Sequence, residues 1–369
     1  MGFSMGFVPR LESLRGIAAL TVVSSHVWGL FSDTNPAGTD AVAFSILHGL
    51  SNGTGAVVAF FVLSGFVLAR SLEANPEPLR FFRGRVFRLF PAAIATVALL
   101  VWLHRQWGLY VAYEGDFSPG NVLLNMLMIR TDINAVMWSL KVECFATPLI
   151  LFSAWLVRVK KAAWLWAIVA ALFGLSFVGA YRDALGDATN LAPLYAFVIG
   201  VLAHHCGKQI ANLRPVSAVA LMVLCIGAFC YCGTRHQSGL LLAVECVAAA
   251  GLVMLIVWQP LAIFSPLDWA PVRFYGRISY SLYLLHLLGI LFASRLIAFV
   301  GLSIAGSTTG YAIVMALAIL ITTPVAYLSW RFIEVPCVNI GRTTLYRFGG
   351  LRLVPNPVKV WRRRKSCGD

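Results

Sequence analysis

The amino-acid sequence predicts an all-α protein, a polytopic transmembrane helical bundle of about ten spans with both termini in the cytoplasm. Three observations predict it: the composition, the apolar segments and the distribution of basic residues. Of the 369 residues, 59% are hydrophobic and 12% are charged, and the mean hydropathy is +0.80. Soluble domains usually contain about 45–50% apolar and about 25% charged residues. The composition therefore indicates a membrane protein.

Ten segments are long and apolar enough to cross a bilayer as α-helices, which need about 20 residues each. They show no internal repeat. We expect a transmembrane domain over 1–336 and a basic cytoplasmic tail over 337–369 that ends with the run "RRRK" before its last four residues. The segments are 11–31, 55–72, 86–104, 139–158, 162–180, 191–207, 215–232, 239–257, 277–299 and 309–331.

The lysines and arginines test the number of spans. With ten spans and a cytoplasmic N-terminus, 23 of the 29 basic residues fall on the inner side. Cytoplasmic loops carry an excess of Lys and Arg, so this asymmetry supports an even number of spans and cytoplasmic termini. The formal net charge of +14 arises from residues between apolar spans. It therefore argues for a lipid bilayer rather than nucleic acid as the partner.

Most of the eight cysteines lie within apolar segments, where cysteine behaves as a small hydrophobe. Cys225, Cys230 and Cys232 lie close together without a matching set of histidines, so no metal site is predicted. The opening "MGFSMGFVPRLES" has no cleavable signal pattern and no myristoylation motif. We therefore expect the first span to be retained.

The first apolar segment contains two ionisable residues, Arg15 and His26. Eleven positions at about 100° each bring both side chains to one helix face, with a rise of about 16 Å. Arg15 is then near the inner boundary and His26 in the outer half. A snorkelling arginine and a hydrogen-bonded core histidine are the structural alternatives. An ionisable group within a span is nevertheless a functional candidate, and histidine exchanges a proton near neutral pH.

Two inner-boundary segments carry further charges. In "FFRGRVFRLFP", Arg85 and Arg88 share one helix face where the third span begins. Guanidinium groups bind phosphate through forked hydrogen bonds, so this pair is a candidate phosphate clamp, with a positive-inside anchor as the alternative. In "WRFIEVP", Arg331 and Glu334 are three residues apart and predict a boundary ion pair.

The fourth span opens with "MWSLKVECF", in which Ser139 and Glu143 are four residues apart. We expect Glu143 about one turn inside the outer boundary, at the depth of His26. A carboxylate there is unfavourable unless it is paired or hydrogen-bonded. Glu143 is therefore predicted either to orient or charge His26, which is common acid–base chemistry, or to serve a structural role.

Two other spans contain polar or small residues at helical spacing. "FFVLSGFVLA" places Ser64 and Gly65 in the second span, where small residues indicate close helix packing. "ISYSLYLLH" carries Tyr283 and His286 in the ninth span. These two side chains line a polar path or are hydrogen-bonded core groups, and the sequence leaves both interpretations open.

The order of these segments resembles the acyltransferase-3 family of integral membrane acyltransferases. A single segment would not be specific, but six in the family's order are, with Arg-x10-His in the first helix and Arg-x-x-Arg opening the third. The segments that carry the resemblance are "LESLRGIAALTVVSSH", "FFVLSGFVLAR", "FFRGRVFRLFP", "MWSLKVECF", "ISYSLYLLH" and "WRFIEVP". Together they extend through almost the whole predicted spanning region.

The resemblance implies transfer of an acyl group, commonly acetyl from acetyl-CoA, to a hydroxyl of a glycan or other acceptor outside the cytoplasm. It also implies roles for particular residues. His26 matches the essential histidine, Arg15 with Arg85 and Arg88 matches the essential basic set, and Glu143 matches the acid of the Trp-Ser-Leu-x-x-Glu segment. The chain resembles stand-alone members that lack an extracytoplasmic SGNH-type domain.

One position departs from the family pattern. Cys144 stands where a second acid or similar polar residue is frequent in relatives. A two-carboxylate role at this segment is therefore not supported.

These observations predict a reaction. Acyl-CoA, a substrate rather than a tightly bound cofactor, binds at the cytoplasmic mouth with its phosphates on Arg85, Arg88 and Arg15. Its pantetheine arm extends toward His26, and the acceptor hydroxyl enters from outside. His26, assisted by Glu143, removes the hydroxyl proton as the oxygen attacks the thioester. A covalent acyl-His26 intermediate is the variant of this mechanism.

Other classes of function compete with the enzyme. A transporter or lipid-linked glycan flippase also places ionisable groups within the membrane, but it predicts an inverted repeat. A structural membrane subunit would use the same polar residues to lock helices together. For the enzyme, we expect a bacterial inner membrane location and a glycan or lipid-linked glycan acceptor.

Overall fold

The computed structural model describes residues 9–32, 39–111, 115–187, 189–301 and 307–343. Every regular element in these ranges is helical, which confirms the all-α prediction. The α-helices are α1 (Pro9–Gly29), α2 (Thr39–Leu50), α3 (Gly53–Ala74), α4 (Pro78–Trp107), α5 (Pro119–Met126), α6 (Trp138–Arg158), α7 (Trp164–Leu175), α8 (Gly179–Arg182), α9 (Tyr195–Cys206), α10 (Pro215–Gly233), α11 (Gly239–Trp258), α12 (Ala270–Val300), α13 (Thr308–Ser329) and α14 (Val335–Thr343).

Shorter helical turns join some of these helices. Four are 3₁₀ turns and one, between α13 and α14, is a π-helical turn. Helix α14 runs through the expected domain boundary at 336, and the rest of the basic tail lies outside the described residues. The turns are Ala135–Met137, Ala192–Leu194, Gly207–Asn212, Ala262–Asp268 and Trp330–Glu334.

Seven helical segments in the described ranges are long and apolar enough to cross a membrane, and two of them each include two of the helices named above, α2 with α3 and α13 with α14. The other three predicted spans coincide with α1, α7 and α9, and the last two have 12 residues each. A polytopic membrane architecture is therefore confirmed, while the number of about ten spans stays a prediction. The seven segments are Asp40–Ala74, Pro78–Trp107, Ala135–Arg158, Pro215–Gly233, Gly239–Trp258, Ala270–Val300 and Thr308–Arg342.

Prolines and glycines set the ends of several helices. Pro78 and Pro215 occupy the first positions of α4 and α10, where the missing backbone N–H has no intrahelical partner to lose. Gly108 and Gly301 end α4 and α12 in the left-handed conformation, with φ values of 63° and 68°. Glycine adopts this conformation without the steric penalty of a Cβ atom.

Paired glycines bring the central helices into close contact. Gly16 of α1 faces Gly276 of α12, and a Cβ atom at either position would overlap the backbone of the other helix. Gly65 of α3 and Gly200 of α9 are matched in the same way, and a Cβ at Gly65 would overlap the carbonyl group of Phe197. The close packing predicted for the second span is therefore confirmed. Small residues are the usual means of close approach between helices in membranes.

Helix α6 begins in the middle of the bundle. The Tyr283 hydroxyl donates to the carbonyl of Val136 (2.8 Å), and Asn134 Nδ2 donates to the carbonyl of Leu284 (2.9 Å). Tyr283 and Leu284 lie about halfway along the 31 residues of α12. The prediction that this helix starts at the outer boundary is therefore wrong. Non-helical backbone is tolerated at such depth when protein buries it, and Asn134 is 1% exposed.

A hydrogen-bonded carboxylate holds the loop that leads into α6. Asp132 accepts hydrogen bonds from Asn121 Nδ2 (2.7 Å) and Asn125 Nδ2 (2.8 Å). Burial alone would raise the pKa of the Asp132 carboxyl, but these hydrogen bonds hold it below its usual value. The loop is therefore anchored by an ionised group at neutral pH, and α6 starts from a fixed point.

Filling the contact between α3 and α9 tests this packing. We expect Gly65→Val to destabilise the protein by roughly 1–3 kcal/mol or more, because the added methyl groups meet backbone that cannot move aside. The measurement is the thermal unfolding temperature of the purified protein in detergent. Gly227→Val on the exposed side of α10 is the control, because a Cβ atom there would have no neighbouring atom within 4 Å. Equal unfolding temperatures for the two variants would contradict the packing.

Candidate active site

A wide basic vestibule opens at the end of the bundle where α4 and α12 begin. Its volume is about 2170 Å³, part of it open to solvent. Glu12 is the single acid among its described lining residues. The sequence singled out three of the vestibule's arginines, and the others could have been suspected only from their position on the predicted inner side. The lining arginines are Arg15, Arg70, Arg80, Arg85, Arg88, Arg277 and Arg342.

A narrower cavity continues from the vestibule into the bundle, with about 760 Å³ of empty space, part of it open to solvent. The two spaces share Arg15, Arg85 and Arg88 in their walls. Beyond these arginines most of the lining side chains are apolar, and the polar groups at the far end are hydroxyls. The arginine-lined vestibule and the mostly apolar cavity therefore form one connected space. Ser139 and Tyr283 carry the hydroxyls of the far end, and Ser279 and Tyr280 line the wall nearer the entrance.

Arg85 and Glu143 form an ion pair at the junction of the two spaces. Their side chains are 12% and 18% exposed. Ser64 Oγ donates a hydrogen bond to the same carboxylate oxygen (2.8 Å), so one acid joins α3, α4 and α6. Glu143 therefore lies against Arg85 and Ser64 and not beside His26, as the sequence had predicted. The deep start of α6 explains the difference, because it moves Glu143 toward the vestibule.

Arg88 is held by a second carboxylate. Its Nη1 donates to Glu334 (2.9 Å), whose side chain is 1% exposed, and its guanidinium lies over the ring of Tyr280 at 5.3 Å. Glu334 also accepts hydrogen bonds from the backbone N–H and hydroxyl of Ser281. The predicted ion pair between Arg331 and Glu334 is therefore wrong. The π-helical turn at Trp330–Glu334 adds a residue to the helix and turns Glu334 toward α4 and α12.

Arg15 differs from the other two arginines of the predicted basic set. It lines both spaces, but within the described ranges it forms no hydrogen bond and no ion pair. Arg85 and Arg88 are already paired with carboxylates. Arg15 is therefore the member of the set whose guanidinium is available to a bound anion.

His26 meets His286 on the neighbouring helix. The Nδ1 atom of His26 lies 3.2 Å from Nε2 of His286, and the ring centroids are 4.8 Å apart. His286 is fully buried, and its Nδ1 lies 2.7 Å from the carbonyl oxygen of Tyr283. The sequence indicated both histidines but not their contact, because nothing in it specifies that α1 packs against α12.

The cavity ends one helical turn before the histidine pair. The hydroxyls of Ser139 and Tyr283 are 2.8 Å apart at its far end, and both residues are almost fully buried. Arg15 lines the cavity, whereas His26 lies outside its lining and is exposed. Tyr283 connects the two regions, because its hydroxyl faces the cavity and its carbonyl contacts His286. The expectation that one cavity reaches His26 is therefore not met within the described residues.

The family model and the similar proteins indicate the same class of protein. The family model described as "Acyltransferase domain" matches residues 8–331. A putative acetyltransferase of Acidianus two-tailed virus is 24% identical over 76% of this chain and 82% of its own length. A putative membrane-bound transacylase of Komagataeibacter xylinus is 26% identical over 78% and 74%, respectively. An O-acetyl transferase of Shigella phage Sf6 is 23% identical over 73% and 80%. No solved structure matches the chain.

A double-mutant cycle tests the ion pair between Arg85 and Glu143. We expect Arg85→Gln and Glu143→Gln each to lower the free energy of unfolding by about 3–5 kcal/mol, because each leaves a poorly solvated charge without its partner. The double variant should lose much less than the sum of the two. Thermal or denaturant unfolding in detergent measures the coupling. The same cycle on the more exposed pair Arg10–Asp268 is the control and should give a smaller coupling, of about 0.2–1 kcal/mol. Additive losses at Arg85 and Glu143 would contradict the pairing.

Proposed function

The chain belongs to the acyltransferase-3 family, and from that premise we propose that it transfers an acyl group from cytoplasmic acyl-CoA to a hydroxyl of an extracytoplasmic glycan or related acceptor. The acyl group is acetyl. The observation that carries the proposal is the continuous route from the arginine-lined vestibule through the apolar cavity toward the histidine pair. The protein lies in a bacterial inner membrane, with ten spans and both termini in the cytoplasm.

The vestibule supports acyl-CoA as the donor. Acyl-CoA has a phosphate-rich nucleotide at one end and a slender pantetheine arm at the other. The guanidinium of Arg15 is available for a phosphate, and arginine binds phosphate oxygens through paired hydrogen bonds. Arg85 and Arg88 add positive charge but are held by Glu143 and Glu334. They therefore shape the entrance, and Arg15 makes the direct contact.

The cavity supports the placement of the thioester. Its walls are largely apolar, which suits the pantetheine arm, and its far end presents the hydroxyls of Ser139 and Tyr283. The Ser139 hydroxyl is the donor for the thioester carbonyl, on which negative charge develops during attack, while the Tyr283 hydroxyl donates to the carbonyl of Val136. The arm then ends one turn below His26 and His286, and the acceptor hydroxyl meets it from the outer side.

His26 acts as the general base. As it removes the proton of the acceptor hydroxyl, the oxygen bonds to the thioester carbon and the carbon–sulfur bond breaks. The proton then passes from His26 to the departing sulfur, which leaves as the free thiol of CoA. Every atom is accounted for without a covalent acyl-enzyme, so direct transfer is the proposed route.

The relatives support the class of reaction and of acceptor. Their names describe an acetyltransferase, a transacylase and an O-acetyl transferase. An exposed histidine base in the outer half of α1 is suited to acyl transfer to oxygen. A hydroxyl needs a base to remove its proton as it attacks a thioester. The positive-inside asymmetry supports the orientation, since it places the vestibule arginines on the cytoplasmic side, where acyl-CoA is found.

Replacement of His26 tests this function. We expect His26→Ala to lower kcat by at least about 100-fold, the smaller end of what a general base contributes, while acetyl-CoA binding is unchanged. The assay follows label from acetyl-CoA into surface polysaccharide isolated from cells that lack the gene. His236→Ala, an exposed outer-loop histidine, is the control and should keep full activity.

Two outcomes would contradict the proposal. A folded His26→Ala variant that transfers acetyl at the wild-type rate would remove His26 from the reaction. Wild-type protein that moves glycan across vesicles without forming a covalent acetyl product would favour the transporter. Mass spectrometry of the polysaccharide distinguishes these results, because acetylation adds a fixed mass to each modified unit.

A further inference from the structure

The tautomer of His286 is fixed by its backbone contact. Its Nδ1 lies 2.7 Å from the carbonyl oxygen of Tyr283, and a carbonyl oxygen only accepts hydrogen bonds. The proton of the neutral imidazole is therefore on Nδ1, and Nε2 carries a lone pair. His286 is 0% exposed, and no carboxylate contacts it in the described part of the chain, which favours the neutral ring.

The surroundings of His26 then fix its own tautomer. Its Nδ1 lies 3.0 Å from the carbonyl oxygen of Val22 and 3.2 Å from Nε2 of His286. Both neighbours are acceptors, so Nδ1 of His26 carries the proton and donates to them. The remaining nitrogen, Nε2, has a free lone pair, and His26 is exposed. The lone pair that accepts the proton is therefore on Nε2, the ring nitrogen of His26 that does not face His286.

We infer that His286 is a positioning residue, which holds the His26 ring with its lone pair on Nε2 and stabilises the imidazolium that forms when this atom takes the acceptor proton. The inference rests on the proposed role of His26 as the general base. In many enzymes a carboxylate accepts the second N–H of the catalytic histidine. Here the lone pair of a buried neutral imidazole occupies that place.

The placement of His286 within α12 supports a role beyond packing. Ser279, Tyr283 and His286 are spaced by four and three residues and therefore lie on one helix face. Ser279 and Tyr283 line the cavity, and His286 continues the same face to His26. An apolar residue would fill the same space without burying a polar ring. The polar face therefore leads from the thioester site to the base.

Two substitutions separate positioning from packing. His286→Gln keeps an oxygen acceptor near the position of Nε2, whereas His286→Leu has a similar size and no acceptor. We expect His286→Leu to lower kcat by about 10–100-fold, as is typical for loss of a partner that orients a ligand or base, with the KM for acetyl-CoA unchanged. His286→Gln should retain activity within about tenfold of wild type. A packing role alone predicts equal losses in both variants.

The comparison with His26→Ala keeps the two hypotheses distinct. If His26→Ala is inactive while folded His286→Leu is as active as wild type, the positioning role fails and the proposed function stands. If both His286 variants are folded and equally impaired, the positioning role also fails. If His26→Ala is active, the proposed function fails, and the positioning role fails with it.

Nitrogen-15 NMR of the wild-type protein with labelled histidine rings tests the geometry even if neither His286 variant folds. The His26 signals are assigned by their loss in His26→Ala. We expect a protonated Nδ1 and an unprotonated Nε2 at a pH where the ring is neutral. The opposite tautomer would overturn the inference.

Discussion

The ion pair between Arg85 and Glu143 joins α3, α4 and α6 at the point where the vestibule narrows. A pair of charges removed from water is stable only with good geometry and further hydrogen bonds, and Ser64 supplies one of these. Because both members are needed, the three helices cannot separate without exposing a charge to an apolar environment. The position of the cavity and its entrance therefore depends on this contact.

The three arginines of the predicted basic set differ in whether a carboxylate of the protein pairs with them. Glu334 holds Arg88 through a π-helical turn, so two of the three arginines in the predicted basic set are neutralised within the protein. Arg15 keeps a guanidinium that no acid contacts in the described ranges, and it lines both spaces. At the other end, His26 and His286 contact each other, and no carboxylate contacts either ring in the described part of the chain. The proposed phosphate contact, Arg15, and the proposed base, His26, thus lie about 16 Å apart along α1.

The sequence was informative where the signal is local. Apolar length located the long helices, and the first apolar segment, with Arg15 and His26, forms one continuous helix, as predicted. It failed where the outcome depends on tertiary contacts. The polar loop before α6 folds into the bundle, where Asn134 donates a hydrogen bond to a backbone carbonyl of α12. Glu143 therefore lies beside Arg85 and away from His26. Likewise, residue spacing predicted Arg331 as the ion-pair partner of Glu334. The π-helical turn instead directs Glu334 to Arg88. The pairing of His26 with His286 required knowledge of which helices touch.

The most direct test of this account is a structure of the protein with a non-hydrolysable thioether analogue of acetyl-CoA, determined by electron cryomicroscopy in a lipid nanodisc. We expect the analogue's phosphates in the vestibule beside Arg15, with Arg85 and Arg88 still paired to Glu143 and Glu334. We also expect its acetyl end between Ser139 and Tyr283, one turn below the histidine pair. An analogue bound on the outer side, or one whose arm leaves the cavity between Arg15 and Tyr283 empty, would contradict it.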